Sequence, residues 1–190
     1  MAYVKGHVLD IGCGAGRVSL FLQEKGFTVM GIDNSPLAVK ACQKRGIKDV
    51  KNIAIEKISQ RLGIFDTIIM YGNNFGLFAS MKKARSLLKK MHKMTSGEAT
   101  IIAETADPYQ TKVPEHLEYH KLNKKRGRMA GQLRLRVRYK KYKTPFFDYL
   151  LVSVDELKRI LKGTGWYLLK KYDSGAAPYV AVIKKDPLLK

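Results

Sequence analysis

The segment from Val8 to Arg17 joins a short apolar run to three alternating glycines. Gly12, Gly14 and Gly16 follow that run and precede a helix-like segment. Glycine lets the backbone turn tightly and approach a ligand closely, while the N-terminus of a helix presents free N–H groups. The pattern therefore predicts a loop that holds a nucleotide-like cofactor.

The spacing of the glycines separates two classes of cofactor. A dinucleotide fingerprint, Gly-x-Gly-x-x-Gly, would place its third glycine at position 17, where this chain has Arg17. The glycines instead read Gly-x-Gly-x-Gly, with Asp10 two residues before the first. The next predicted strand, Phe27 to Ile32, runs into Asp33, and an acid at a strand tip can accept both hydroxyls of a ribose. A nicotinamide dinucleotide is therefore the disfavoured alternative.

With these features the chain resembles the class I S-adenosylmethionine-dependent methyltransferases, which form the Rossmann-like methyltransferase-domain superfamily. The resemblance covers nearly the whole chain, since the segment from Ile64 to Asn74 is similar to the family's fourth strand and active-site loop. It implies S-adenosyl-L-methionine as the cofactor, S-adenosyl-L-homocysteine as the product, and methyl transfer as the reaction.

The resemblance also implies which residues hold the cofactor. The glycine loop would cradle the amino-acid end, with Asp10 near the ammonium, and Asp33 would bind the ribose. The residues after the third strand would contact the adenine, although Ala54 stands where the family often has a polar residue. The predicted cofactor-binding residues are Asp10, Gly12, Cys13, Gly14, Gly16, Arg17, Asp33, Asn34, Ser35, Ile55, Glu56, Tyr71 and Gly72.

Methyl transfer from a sulfonium is a displacement that depends mainly on holding the two reactants in position. A general base is a second requirement for some acceptors, and no pair of residues has a spacing that compels acid–base chemistry. The sequence therefore leaves the base undecided. The candidates for a catalytic role are Tyr71, Asn73, His116 and His120, with Glu104 and Asp107 as further candidate bases.

Strand-like and helix-like segments alternate from residue 7 to about residue 104, which predicts a doubly wound α/β fold. Ser35, Ser80 and Ser153 are each placed to cap the start of a helix. The resemblance implies a Rossmann-like three-layer sandwich with a mostly parallel seven-stranded sheet of order 3-2-1-4-5-7-6. Its last two strands, Trp166 to Tyr172 and Tyr179 to Lys184, would form an antiparallel pair.

The alternation breaks after the predicted strand Ala99 to Glu104. We expect residues 105–150 to form a β-hairpin inserted after strand five, with two extended arms around the turn-rich segment 123–128. The second arm, Gln132 to Lys143, alternates apolar and basic residues, which predicts one apolar and one basic face.

The inserted hairpin is expected to cover the substrate side of a single methyltransferase domain that spans residues 1–190. The first predicted strand begins within about seven residues of Met1, where similar enzymes carry covering helices. The hairpin or a second chain is therefore expected to supply the cover that excludes water.

Composition limits the remaining function classes. The chain has 36 basic and 16 acidic residues, a net charge of +20, which favours anionic partners or serves solubility. No apolar run approaches the roughly 18–20 residues of a membrane span, and no leader is evident, so we predict a cytoplasmic protein without a membrane partner. Cys13 and Cys42 lack metal-ligand spacing, so we expect reduced thiols, no disulfide and no metal.

The sequence thus predicts a methyltransferase that acts on a small or medium-sized acceptor, an anionic one included. Two alternatives stay open: an RNA methyltransferase, and a non-catalytic relative that binds the cofactor or nucleic acid. The acceptor atom and the oligomeric state are undetermined. The basic residues that would contact RNA phosphates are Arg134, Arg136 and Arg138, with Lys124, Lys125, Arg126 and Arg128 at the predicted hairpin tip.

Overall fold

A computed structural model describes residues 2–173 and 175–187 as an α/β fold around a seven-stranded sheet. The strands of the chain are β1 His7–Ile11, β2 Thr28–Asp33, β3 Asp49–Asn52, β4 Phe65–Met70, β5 Thr95–Ala106, β6 Gln132–Leu135, β7 Arg138–Tyr139, β8 Tyr142–Lys143, β9 Phe147–Leu150, β10 Trp166–Asp173 and β11 Pro178–Lys185. The large sheet has the order β3-β2-β1-β4-β5-β11-β10. Strands β1 to β5 pair in parallel, whereas β11 pairs antiparallel with β5 and β10. The predicted order is confirmed, with β11 and β10 as its seventh and sixth strands.

Five α-helices connect or flank these strands. They are α1 Arg17–Glu24, α2 Pro36–Lys44, α3 Met81–Lys93, α4 Pro114–Lys125 and α5 Val154–Leu161. The predicted caps are confirmed for α2, α3 and α5, where a serine side chain accepts a hydrogen bond from a backbone N–H of the first turn. Such a cap contributes about 1 kcal/mol. The longest helix, α3, has 13 residues, and no helix in the described part of the chain is long and apolar enough to cross a bilayer.

Two apolar clusters cover the two faces of the sheet. The larger one includes buried residues of α3 and α5, among them Leu88 and Ile160, packed against β1, β4 and β5. The smaller one contains Val8, Leu22 and Val29, and so places α1 on the opposite face. A parallel sheet covered on both sides has its strand ends as the open edge, and ligands bind there in folds of this kind.

The region between β5 and β9 differs from the prediction in its first half. Residues 114–125 form helix α4, where the sequence analysis placed an extended arm. Pro114 in the first turn and basic residues in the last turn favour a helix here. The apolar pattern is weak because most of α4 faces solvent. The residues Lys124, Lys125, Arg126 and Arg128 therefore lie at the end of α4 and in the turn after it, and the predicted hairpin tip at that place is wrong.

A hairpin is present, but its reversal lies inside the predicted second arm. Strand β6 pairs antiparallel with β9, and the shorter β7 and β8 pair beyond them, with Lys140 at the turn in a left-handed conformation (φ 51°). The segment from Gln132 to Lys143 therefore contains three short strands, β6, β7 and β8, with the turn between β7 and β8. Its expected apolar face is not buried along its length, since Val137 and Tyr139 are 56% and 68% exposed. The partner of β6 follows it in sequence, which alternation within one strand does not reveal.

Candidate functional site

A cleft of about 730 Å³ opens at the carboxyl ends of β1, β2 and β3. Its floor includes Ile11, Gly12 and Asp33, and its apolar side includes Ile55 and Leu77. The far wall comes from residues 144–148, just before and within β9. The cleft thus joins the glycine loop of the parallel sheet to the inserted region.

Hydrogen bonds to its backbone groups hold the glycine loop from two sides. The N–H groups of Gly12 and Cys13 donate to the carbonyl of Ile32 on the neighbouring strand, at 2.8 and 3.1 Å. The side-chain amide of Asn74 donates to the carbonyls of Ile11 and Gly12, at 3.0 and 2.8 Å. Gly12 has a φ of 71°, and a Cβ there would lie 2.5 Å from Nδ2 of Asn74. Only glycine fits this turn without displacing its neighbours.

Asp33 ties the glycine loop to the start of α2. Its carboxylate accepts hydrogen bonds from the N–H groups of Gly14, at 3.0 Å, and Ser35, at 2.8 Å. An ionised carboxyl group has about four acceptor sites. About two therefore remain for further donors, and Asp33 lines the cleft, so its carboxylate could accept a pair of neighbouring hydroxyls.

Asp10 lines a second, smaller cavity of about 240 Å³, which shares Gly12 and Asn74 with the cleft. The carboxyl group is 2% exposed and accepts a hydrogen bond of 2.6 Å from the hydroxyl of Ser19. Burial raises its pKa to about 6, and the bond from Ser19 offsets part of that shift. A cationic group in this cavity would stabilise the ionised form of Asp10.

The two neighbouring cavities suit a molecule with a nucleoside at one end and an amino acid at the other. The cleft supplies an apolar side at Ile55 and an acceptor pair at Asp33, and the smaller cavity supplies a buried acid at Asp10. Among the predicted cofactor residues, the cleft is lined by Gly12, Asp33, Asn34, Ile55 and Glu56, and the smaller cavity by Asp10, Gly12, Cys13, Arg17, Tyr71 and Gly72.

Three predicted residues line neither of these cavities. Gly14 donates its N–H to Asp33, and Ser35 caps α2. Gly16 starts α1 in a left-handed conformation, where a Cβ would lie 1.9 Å from the side chain of Ile47. These residues shape the loop and the helix starts around the cleft.

The loop after β4 carries Tyr71, Gly72 and Asn73. The carboxylate of Glu104 on β5 accepts the N–H of Gly72 at 2.9 Å, and the hydroxyl of Tyr149 donates to the carbonyl of Asn73. Burial, with a smaller contribution from Glu104, raises the pKa of Tyr71, so its phenol is neutral at ordinary pH. Tyr71 is therefore poorly suited to act as a phenolate base.

Unusual backbone conformations occur at both ends of the short helix Asn74–Phe78. Asn73 and Ala79 have φ values of 61° and 63°. Asn73 also has a buried side-chain oxygen without a hydrogen-bond partner in the described part of the chain. Strain of this kind persists where the surrounding structure fixes it and is frequent at ligand sites.

The two candidate histidines lie elsewhere, in a third cavity of about 640 Å³ between α4 and the end of β5. The side chain of Arg134 lines both this cavity and the cleft. The structure therefore divides the catalytic candidates into two groups. Tyr71 and Asn73 lie beside the glycine loop, and His116 and His120 line the third cavity together with residues of β6.

The sequence analysis missed several features of this region. It expected residues 105–150 to cover the substrate side but singled out no residue of the segment 144–148, whose adjacent phenylalanines, Phe146 and Phe147, were the available signal. Nor did it place Cys13 beside Cys42, whose sulfur atoms are 3.9 Å apart. Both are free thiols with a pKa raised chiefly by burial. In the described residues, no group of three or more His, Cys, Asp or Glu is arranged to hold a metal ion.

Comparison with known proteins identifies the domain. Residues 8–97 match the family described as "Methyltransferase domain". A stretch of 72 residues is 38% identical to the 2-heptyl-1-hydroxyquinolin-4(1H)-one methyltransferase of Mycobacteroides abscessus, covering 35% of this chain and 32% of that protein. The chain spans less than half the length of these curated relatives. It matches 44% of a putative methyltransferase of Bacillus subtilis and 32% of the protein from Mycobacteroides abscessus.

Solved structures extend the likeness over nearly the whole chain. A methyltransferase from Bacteroides fragilis, solved in complex with S-adenosyl-L-homocysteine, superposes with a TM-score of 0.80 at 26% identity, covering 97% of this chain and 74% of that one. A methyltransferase from Methanosarcina mazei shares the fold, with a TM-score of 0.75 at 17% identity and coverage of 97% and 95%. The glycine loop, the strand order and these matches together are consistent with a class I, Rossmann-like S-adenosylmethionine-dependent methyltransferase, with the methyltransferase domain matched over residues 8–97.

Proposed function

We propose that this protein transfers a methyl group from S-adenosyl-L-methionine to a small or medium-sized acceptor. One observation carries the proposal: two carboxylates, Asp33 and Asp10, line neighbouring cavities that share Gly12 and Asn74 in their walls. This arrangement matches a cofactor that has a ribose and an ammonium group at separate places.

The residues that would hold the cofactor follow from the contacts of the cleft. Asp33 would accept the ribose hydroxyls, Ile55 would pack against the adenine, and Asp10 would pair with the ammonium. When bound, the cofactor supplies an electrophilic methyl group on a sulfonium sulfur. The chain contributes by fixing that group near the loop after β4, because position is the largest requirement of such a displacement.

The contacts of the inserted region support its role as a cover of the cleft, within a single domain that spans residues 1–190. Phe146 and Phe147 contribute to the wall of the cleft, and Tyr149 holds the loop after β4 through the carbonyl of Asn73. A cytoplasmic location is part of the same proposal and rests on the sequence prediction alone.

A small-molecule acceptor is also supported by the relative from Mycobacteroides abscessus, which is named for an alkylated hydroxyquinolone substrate. That substrate has a heptyl chain, one hydroxyl group and a ring carbonyl. We infer that the acceptor of this chain belongs to a comparable size class.

The first test is calorimetric titration with S-adenosyl-L-methionine, S-adenosyl-L-homocysteine and NAD in parallel. We expect selective micromolar binding of the first two. A second assay measures the formation of S-adenosyl-L-homocysteine with candidate acceptors. Preferential binding of NAD would contradict the proposed cofactor. Binding of S-adenosyl-L-methionine and S-adenosyl-L-homocysteine without turnover of any acceptor would favour the non-catalytic alternative.

RNA is the second candidate acceptor, and the tip of the insertion favours it. Residues 136–146 contain five basic residues and no acidic residue. Tyr139 and Tyr142 pair across the hairpin and are each 68% exposed. Exposed aromatic rings beside cations can stack on unpaired bases while the cations contact phosphates.

The test for RNA changes Arg134, Arg136 and Arg138 together to Gln. We expect weaker binding to a single-stranded RNA and a flatter dependence of affinity on salt, because fewer counterions are released. The matched control changes three exposed lysines of α3, Lys82, Lys89 and Lys93, to Gln, which removes the same charge elsewhere. Equal losses in both variants would show that net charge alone is responsible and would exclude the hairpin as a docking surface.

A further inference from the structure

The cavity between α4 and the end of β5 has an apolar body. Its volume of about 640 Å³ lies in the range of roughly 300–1,000 Å³ that is usual for small-molecule sites. Six of the lining residues are apolar: Ala106, Pro108, Leu133, Leu135, Leu151 and Ala177. A ligand here would be held mainly by burial of apolar surface.

One side of this cavity is polar, and His120 is its most enclosed member. The residue is 8% exposed and lies on α4. Its ring contacts the ring of Tyr109, with centroids 6.0 Å apart, and neither ring nitrogen has a hydrogen-bond partner in the described part of the chain. The ring nitrogens are not among the fully enclosed polar atoms of the described residues, so a ligand in the cavity that donates a hydrogen bond can reach them.

The charged groups around His120 favour its neutral form. Burial lowers the pKa of the imidazole, and the neighbouring His116 and Lys124 lower it further, while Glu156 acts in the opposite direction. A neutral imidazole has one nitrogen that accepts a hydrogen bond. His116 is less available, because its Nδ1 is 2.9 Å from the hydroxyl of Thr111.

The cavity is close to the loop that borders the proposed methyl site. Glu104, whose carboxylate accepts the N–H of Gly72, precedes the lining residue Ala106 by two positions on β5. Two residues of a strand span about 7 Å. Arg134 lines both the cavity and the cofactor cleft.

We propose that this cavity binds a small molecule with an apolar body and a hydroxyl group, and that His120 accepts the hydrogen bond of that hydroxyl. This assignment rests on the proposed methyltransferase function in one respect, because it takes the bound molecule to be the methyl acceptor.

Two probes that differ by one methyl group test the hydrogen bond. 1-Naphthol can donate from its hydroxyl, whereas 1-methoxynaphthalene has the same apolar body and cannot. We expect the wild-type protein to bind 1-naphthol more tightly in a calorimetric titration. His120→Leu should weaken the binding of 1-naphthol about fivefold, which is the effect of one hydrogen bond, and leave the affinity for 1-methoxynaphthalene unchanged.

A second variant tests the cavity itself without touching the histidine. Leu135→Trp fills the apolar part of the cavity and should weaken the binding of both probes at least about tenfold. Leu169→Trp is the matched control, since Leu169 is 46% exposed on β10, outside the residues that line the cavity. Leu135 does not line the cofactor cleft, so both variants should keep the wild-type affinity for S-adenosyl-L-homocysteine.

The outcomes separate this inference from the proposed function. Absent binding of S-adenosyl-L-homocysteine by the wild-type protein contradicts the function, whatever the probes do. Normal binding of that compound, together with probe affinities that Leu135→Trp does not change, overturns the cavity assignment. Equal losses of both probes in His120→Leu overturn the hydrogen bond.

Discussion

The parallel part of the sheet, residues 7–106, and the insertion, residues 107–150, build their ligand-facing surfaces in different ways. In the first, backbone groups define the site: Gly12 turns the chain, and Asp33 and Asn74 bind backbone N–H and carbonyl groups. In the second, side chains define it, and several large ones, such as Tyr139 and Phe146, are more than half exposed.

The proposed function gives a reason for this difference. A cofactor that does not vary can be held by backbone geometry, which few substitutions can adjust. An acceptor contacted by the insertion would instead be recognised by side chains, which can be exchanged in a surface segment without loss of the fold. The parallel part should therefore respond sharply to single substitutions in the cleft, and the insertion should tolerate them better.

The largest effect is expected at the glycine turn. Gly12→Val places a branched side chain at a φ of 71° and against Asn74, so binding of S-adenosyl-L-homocysteine should fall by more than about thirtyfold. Gly97→Val is the matched control, because the space around Gly97 is open. The measurement is calorimetric titration of both variants. Similar affinities would mean that the turn does not shape the cofactor site.

Asp33→Ala is expected to have the next largest effect. The change removes the acceptors for Gly14 and Ser35 as well as the acceptors proposed for the ribose. We expect a loss of affinity for S-adenosyl-L-homocysteine of about ten- to hundredfold. Asp33→Asn, which keeps one side-chain oxygen, should give an intermediate value. Unchanged affinity in a folded Asp33→Ala protein would refute the ribose assignment.

The pH dependence of stability tests the burial of Asp10. Because its pKa in the folded chain is about 6, against an ordinary value of 3.8, the folded state binds the proton more tightly than the unfolded state. The free energy of unfolding should therefore fall as the pH rises from about 4 to 6, by about 3 kcal/mol relative to Asp10→Asn. Urea denaturation of both proteins at several pH values measures this difference.

The same residue should make cofactor binding depend on pH in the opposite direction. An ionised Asp10 pairs with an ammonium, so the affinity for S-adenosyl-L-homocysteine should rise between about pH 5 and 7 in the wild-type protein. Asp10→Asn should show a flat profile. A rise of equal size in both proteins would assign the titration to another group.

The smallest effect tests whether the insertion supports the cleft. Tyr149→Phe removes the hydrogen bond to the carbonyl of Asn73 and should cost about 1 kcal/mol of stability, with a loss of roughly threefold in affinity for S-adenosyl-L-homocysteine. Tyr142→Phe is the matched control, since Tyr142 is 68% exposed at the hairpin tip. Equal results for the two variants would show that the insertion does not act on the loop after β4.

Much of the parallel part could be predicted because its signals are local. The glycine spacing, Asp33 at a strand end and the serine caps each act within a few residues, and the structure contains the corresponding strands and helices. The order of the sheet required one more step, the resemblance to a known family.

The insertion was harder to predict because its strands depend on pairing. The alternation from Gln132 to Lys143 is the same whether the segment is one strand or several, and only the pairing of β7 with β8 and of β6 with β9 decides this. Helix α4 was missed because a mostly exposed helix has little apolar periodicity.

The sequence by itself determined the class of cofactor and the turns that hold it, because glycine and capping residues constrain the backbone locally. Only the tertiary structure decided which side chains share a cavity. It placed His116 and His120 in a different cavity from Tyr71, brought Asp10 and Asp33 to neighbouring cavities that share Gly12, and left the ring nitrogens of His120 without a hydrogen bond in the described residues. These relations depend on contacts between distant segments, which spacing along one chain does not encode.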